Sequence, residues 1–319
     1  METMIFRGIE SVGVIFLIFA VGFFFHYRKI WPDNTPSALS VIVMWIAAPC
    51  LAVTSIVSGY DREMLAGALI LIIIAVLHLF LLSMVGKGSA RLFKLGRERR
   101  TVYEVTFTFS NVIFIGLPIN QIVFGKTGIP FLFAYYIASL ALFWSYGAYK
   151  IASGSPDAQA MKKRPSASIV KIFNPGFISV LIGYGLVQAG LSLPAVLDTA
   201  LGHLADLTVP LSLLVIGANL TIFAKGIPRV TPDEIFVMLG KFVISPLLMF
   251  ALLKIFGVTG MPFYVFLLSS SMPCHMQTSI MAQHYNVCPE YASKLVGLST
   301  LISIVTIPCY VALIQTLMA

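Results

Sequence analysis

The chain has 319 residues, of which 58% are hydrophobic and 11% charged, with a mean hydropathy of +0.93. A soluble domain of this length cannot enclose so much apolar surface, so the solvent around it is lipid. The formal charge of +8 is small against the loop area and needs no nucleic-acid partner to explain it.

Each helical span with its loop takes about 30 residues, so the length corresponds to roughly ten spans. The apolar runs are continuous, without period-2 alternation, which excludes a porin-like barrel. In chain order the first five lie near 6–26, 36–58, 65–86, 103–124 and 128–150. The second five follow near 169–189, 195–223, 233–257, 262–285 and 290–317. The first run has neither an A-x-A-like cleavage site nor a clear basic leader, and reads as a retained helix. Turn signals such as "WPDNTP", "GKTGIP", "GIPRVTPDE" and "NVCPE" separate the runs. The longest polar stretch, "KIASGSPDAQAMKKRPSAS", starts at Lys150 and falls at the midpoint of the chain. It divides a first five-helix repeat over 1–150 from a second over 169–319, with a cytoplasmic linker over 151–168.

Of the 21 Lys and Arg, 16 fall in the loops after runs 1, 3, 5, 7 and 9. This bias puts those loops in the cytoplasm and both termini outside. The halves also resemble each other. "WIAAPCLAVTS" around Pro49 parallels "DLTVPLSLLVIGANL" around Pro210, and the fourth run of each half carries a mid-run proline, Pro118 or Pro273. An odd number of spans per half inverts the second copy, which gives the inverted 5+5 repeat of secondary transporters, with broken crossover helices 4 and 9.

A proline inside a membrane helix removes one N–H and frees backbone carbonyls. If Pro118 and Pro273 open new half-helices, the preceding Leu117 and Met272 have no side-chain oxygen with which to cap them. Open N–H groups around Asn120 and His275, at the positive ends of helix dipoles, then favour an anion. Asn111, Asn120 and Gln121 flank the first break; His275, Gln277 and Thr278 follow the second, behind the serines 269–271. Substrate or ion contact is one role for these side chains, and interhelical hydrogen bonding is the other.

Among charged groups, Lys241 lies about eight residues into its run, where it either faces the interior as a charge-balancing group or snorkels. Asp206 precedes Pro210 and is a candidate for a coupling proton or cation. His275 either titrates near neutral pH or stays neutral and hydrogen-bonded. Glu104 and Arg100 read as interfacial. Cys50, Cys274, Cys288 and Cys309 lack CxxC spacing, so neither disulfide nor zinc site is indicated.

The segments "SNVIFIGLPI", "VPLSLLVIGANL", "GKFVISPLL", "SMPCHMQTSIMAQHYNVCPEYAS" and "LSTLISIVTIP" together resemble the auxin efflux carrier family, in particular its bacterial members. The resemblance extends over nearly the whole chain. It implies a ten-helix inverted repeat whose crossing helices four and nine lie in a transport domain. Helices one, two, six and seven would form a scaffold with a homodimer contact. It implies carriage of organic anions, auxin in plants and small dicarboxylates such as malonate or malate in bacteria. Asn111, Pro118 and Pro273 carry over, and Lys241 matches a family lysine. Gln277 stands where the family usually has Asn, and "PCH" replaces small residues.

The leading reading is therefore a permease for a small organic anion, working by elevator-like alternating access with no cofactor beyond a coupling Na+ or H+. Other organic acids (a monocarboxylate, an amino acid or an auxin-like indole acid) stay open as substrates, as does a receptor that binds without flux. An enzyme is disfavoured. His275 and His284 are nine apart rather than at HExxH spacing, and there is no G-x-S-x-G turn or phosphate loop.

Overall fold

The computed structural model describes residues 2–59, 62–155, 175–224, 226 and 229–318. All regular structure among them is helical, and the chain is a multi-pass all-α membrane protein. The first half contains α1 (Glu2–Tyr27), α2 (Thr35–Ile42), α3 (Ala48–Gly59) and α4 (Arg62–Leu92). It continues with α5 (Arg97–Thr108), α6 (Leu117–Phe124), α7 (Ile129–Leu142) and α8 (Ala148–Gly154). The second half contains α9 (Pro175–Ala189), α10 (Ala195–Asp206), α11 (Thr208–Asn219) and α12 (Pro232–Leu239). It ends with α13 (Ser245–Ile255), α14 (Met261–Ser270), α15 (Met276–His284) and α16 (Pro289–Met318). The expected linker lies, from residue 156 onward, outside the described residues.

Among the described residues, six stretches are long and apolar enough to cross a membrane: Thr35–Gly59, Leu69–Leu92, Lys126–Gly154, Ala195–Asn219, Pro232–Ile255 and Pro289–Met318. Shorter apolar helices cover Leu17–Tyr27, Val112–Phe124, Pro175–Ala189 and Met261–Ser270. Two groupings organise the packing. In one, α1 and α2 lie on α11, and α9 and α10 lie on α3. In the other, α4 lies on α5 and α7, α5 on α8, and α15 on α16.

Several of the prolines do not break their helices. Pro49, Pro118 and Pro246 each follow by two residues a π-helical turn, at Val43–Ala47, Val112–Gly116 and Gly240–Ile244. A proline ring collides with the carbonyl one turn back and offers it no N–H. An extra residue in that turn widens it, so the carbonyl clears the ring and bonds further along. Pro118 thus sits within a continuous helical stretch from Val112 to Phe124 rather than at its start. The expectation that it opens a half-helix is corrected: the interruption lies seven residues earlier.

Glu104, read as interfacial, is 1% exposed and takes part in ion pairs with Arg100 (2.8 Å) and with Lys150 on α8 (2.7 Å). A second polar knot joins three helices. Arg99 on α5 donates to both carboxylate oxygens of Asp233 on α12 (2.8–3.1 Å), and its guanidinium lies 4.1 Å from the Tyr291 ring on α16. The Tyr291 hydroxyl donates to Asp233 at 2.6 Å, and Lys294 pairs with Glu234 at 2.7 Å. This knot fixes the start of α5 against two helices that hold other parts of the site. Tyr291→Phe removes a charge-assisted hydrogen bond from a buried carboxylate. It is expected to lower stability by about 1.5–3 kcal/mol, read as a drop in the thermal midpoint of detergent-solubilised protein.

Candidate functional site

Two helices stop inside their apolar runs. α5 ends at Thr108, and Phe109 turns extended (φ −95°, ψ 138°). α14 ends at Ser270, and the chain stays non-helical until His275 (φ −65°, ψ 121°) leads into α15. The two gaps pass each other antiparallel, forming an isolated bridge between Ser110 and Cys274. The Asn111 N–H donates to the Pro273 carbonyl at 2.8 Å, and the His275 N–H donates to the Phe109 carbonyl at 3.1 Å. The Cys274 N–H donates to Ser299 Oγ on α16 at 3.0 Å. Inside lipid every such group needs a partner, and here each interrupted segment supplies partners to the other.

Asn111 caps the helical turn that follows the first gap. Its Oδ1 accepts from the Phe114 N–H at 3.2 Å, which leaves Nδ2 as the side chain's unengaged group. The residue is 1% exposed, and Nδ2 has no hydrogen-bond partner among the described residues. The amide therefore presents a donor, which suits an anion and not a cation.

Lys241 reaches the same crossing from the π-turn between α12 and α13. It is fully buried, and its Nζ donates to the Phe109 carbonyl at 2.7 Å and to Ser110 Oγ at 3.2 Å. Among the described residues no carboxylate forms an ion pair with it. It occupies the carboxyl end of α5, where the helix dipole is negative and a cation is favoured. Behind α14, His78 Nε2 lies 3.0 Å from the Ser245 carbonyl, an acceptor only, so Nε2 carries the proton. His78 Nδ1 then accepts from Tyr135 (3.3 Å), while Ser245 Oγ donates to the Ser270 carbonyl at 2.6 Å.

Two cavities flank the crossing, of about 540 and 390 Å³, and both are lined by Met44, Trp45, Phe114 and Gln277. The larger extends past Ser279, Gln283, Ser293 and Thr300; the smaller is aromatic, with Phe133, Tyr136, Trp144 and His275. The His275 ring stands edge-on to Phe143 at 4.6 Å, with Nδ1 unpartnered among the described residues. Thr278 is buried in the first turn of α15, and its Oγ1 is likewise unpartnered.

The structure thus brings Asn111, Pro273, His275, Gln277, Thr278 and Lys241 together. Of these, Gln277 lines both cavities and His275 the smaller; Asn111, Pro273, Thr278 and Lys241 lie at the crossing and, like Asn120 and Gln121, line neither, and Asn120 bonds Gly116 O (2.7 Å) and Ser269 Oγ (3.4 Å). Asp206 is an exposed residue at the end of α10 and lines neither cavity. His78 and Ser299 were passed over in the sequence. An ionisable residue in the middle of the apolar run 65–86 was the signal for the former, and nothing local marks the latter.

A multi-pass helical protein whose interrupted apolar segments cross at buried polar groups, between two cavities, belongs to the class of membrane transporters. A family model described as "Membrane transport protein" matches residues 8–311, and the chain belongs to that family, the auxin efflux carriers. An "Uncharacterized transporter" of Methanothermobacter thermautotrophicus is 25% identical over 96% of this chain and 99% of its own length. A "Putative malonate transporter" of Rhizobium meliloti is 24% identical over 74% of this chain and 77% of its own length.

Proposed function

We propose that the chain is a secondary carrier of a small organic anion, without enzymatic activity, which binds the substrate carboxylate at the crossing of its two interrupted segments. The observation that carries this is the set of donors meeting there: the buried, unpartnered Asn111 Nδ2, the start of α15, which has no side-chain cap, and the Lys241 charge beside them. Such donors are oriented before any ligand arrives, so binding loses little to reorganisation. A dicarboxylate such as malonate or malate is the substrate to test first, given the name of the Rhizobium relative. Gln277, at the wall of both cavities, would contact its second carboxylate, with His275 and Thr278 beside it.

The same reading takes the molecule as a ten-span inverted repeat over 1–150 and 169–319, with both termini outside the inner membrane. The packing of α1, α2 and α11, and of α9 and α10 on α3, supports a scaffold of spans one, two, six and seven, the natural dimer face. The remaining spans carry the crossing and would move against it as an elevator. Uptake of labelled malonate and malate into proteoliposomes tests the proposal. Saturable uptake is expected, with Asn111→Ala and Gln277→Ala each lowering kcat/KM by about tenfold or more, the worth of one lost hydrogen bond to a charged group. Binding without flux would make the chain a receptor, and flux untouched by either substitution would move the site elsewhere.

A further inference from the structure

The two half-helices that end at the crossing are not treated alike. The carboxyl end of α5 has a cation beside it, Lys241, bonded to the carbonyl of Phe109, the residue after the helix, and to Ser110 Oγ. Among the described residues the carboxyl end of α14 has none: the Ser270 carbonyl accepts a neutral hydroxyl from Ser245, in turn beside His78, whose ring is neutral in this arrangement. Oxygen lone pairs accumulate at this end. Ser269, Ser270 and Ser271 are all fully buried, and each hydroxyl donates its proton back to a carbonyl of α14, at 2.6, 2.7 and 2.7 Å. Each oxygen is thereby left as an acceptor.

An independent group points to the same place. Asn120 on α6 is completely buried, and its Nδ2 is spent on Gly116 O and Ser269 Oγ, which sets the amide against the end of α14. Its Oδ1 has no partner among the described residues. The amides of Asn111 and Asn120 are therefore turned oppositely, the first offering a donor and the second an acceptor.

We propose that the carboxyl end of α14, with Asn120 Oδ1 and Ser269 Oγ, is a site for a small hard cation, sodium, that does for α14 what Lys241 does for α5. An all-oxygen set at a negative helix end suits such an ion. The cation then sits behind the anion site proposed above and raises its potential, so that anion and sodium bind together. This inference rests on that reading only for the coupling; the cation site itself is tested without substrate.

The first measurement is thermal unfolding of the purified protein in detergent with NaCl, KCl or choline chloride at equal ionic strength. Sodium alone is expected to raise the midpoint in a saturable way. Asn120→Leu is expected to abolish the increment, and Asn120→Asp, which keeps an oxygen there, to retain it. Ser269→Ala serves as a second variant should Asn120→Leu fold poorly, with a half-saturating sodium concentration raised about tenfold or more. The second measurement is anion uptake under imposed sodium or proton gradients. A sodium-independent midpoint overturns the cation site, whatever the anion data show. Uptake driven by protons and lost in His78→Gln would assign the coupling to the imidazole and overturn sodium. Sodium stabilisation without any anion flux would leave the cation site standing and overturn the carrier reading instead.

Discussion

Lys241→Met is expected to reduce kcat/KM for anion uptake by about a hundredfold while leaving the protein folded. The two halves of this expectation have different physical origins. The lysine is fully buried, its ammonium is bonded to the Phe109 carbonyl and Ser110 Oγ, and no carboxylate of the described residues pairs with it. An unpaired buried cation is itself costly, so exchanging it for an apolar side chain of similar shape removes a desolvation penalty and is tolerated. The Phe109 carbonyl keeps the His275 N–H, so the crossing retains its backbone pairing. What disappears is the full positive charge of the lysine behind the proposed anion site, in surroundings of low dielectric. Removing one member of a buried charge pair typically costs 2–5 kcal/mol, and about 3 kcal/mol corresponds to the hundredfold loss. Uptake should fall with a thermal midpoint at or above that of the parent chain. Lys241→Arg is the harder variant to fit, because a planar guanidinium is larger than the ammonium it replaces. Unchanged uptake in Lys241→Met would reduce the residue to a cap on the end of α5.

The difference between what was legible and what was not follows one line. Hydrophobic runs report burial in lipid, and six of the predicted segments hold helical stretches that are both apolar and long enough to span, while others hold shorter apolar helices. Interruption was legible too, but its position was not. Pro118 looked like the breaker, yet a π-turn absorbs it, whereas Phe109–Asn111 leave the helix with no proline among them. The local signal was present in "SN" before an apolar run, a helix-start pattern that the louder proline masked. On the other segment Pro273 does lie in the gap, because there its carbonyl has a partner waiting in Asn111. Which side chains share the site depends on pairings over more than a hundred residues, such as Lys241 with Phe109, and no periodicity encodes those. Asp206 stands out in the sequence as an acidic group in an apolar run, just before Pro210. Its helix turns it outward, and nothing in the local pattern around Pro210 fixes that register.

The contact between α1 and α11 yields the largest expected effect on folding. Along it the two helices meet backbone to backbone: a Cβ on Gly217 would lie 2.1 Å from the Phe19 carbonyl oxygen, and one on Gly22 would lie 2.3 Å from that of Leu214. In lipid no hydrophobic force drives helices together, so such close van der Waals contact between small residues does much of the work. A backbone carbonyl cannot swing aside as a side-chain tip can. Gly217→Leu must therefore separate the helices, and with them the proposed scaffold pair of spans one and seven. The expected loss is about 3 kcal/mol or more, at the upper end of what overpacking a tight interior produces. It would appear as a collapse of the monodisperse fraction in size-exclusion chromatography and a midpoint lowered by many degrees. Gly217→Ala should show the same change in smaller measure, since even a methyl group has no room. Gly13→Ala is the matched control in α1, where a Cβ meets nothing within 4 Å, and there the better helix former should be neutral or slightly stabilising. If Gly217→Leu behaves like Gly13→Ala, α1 does not sit on α11 as described. The scaffold against which the crossing would move loses its first span with it.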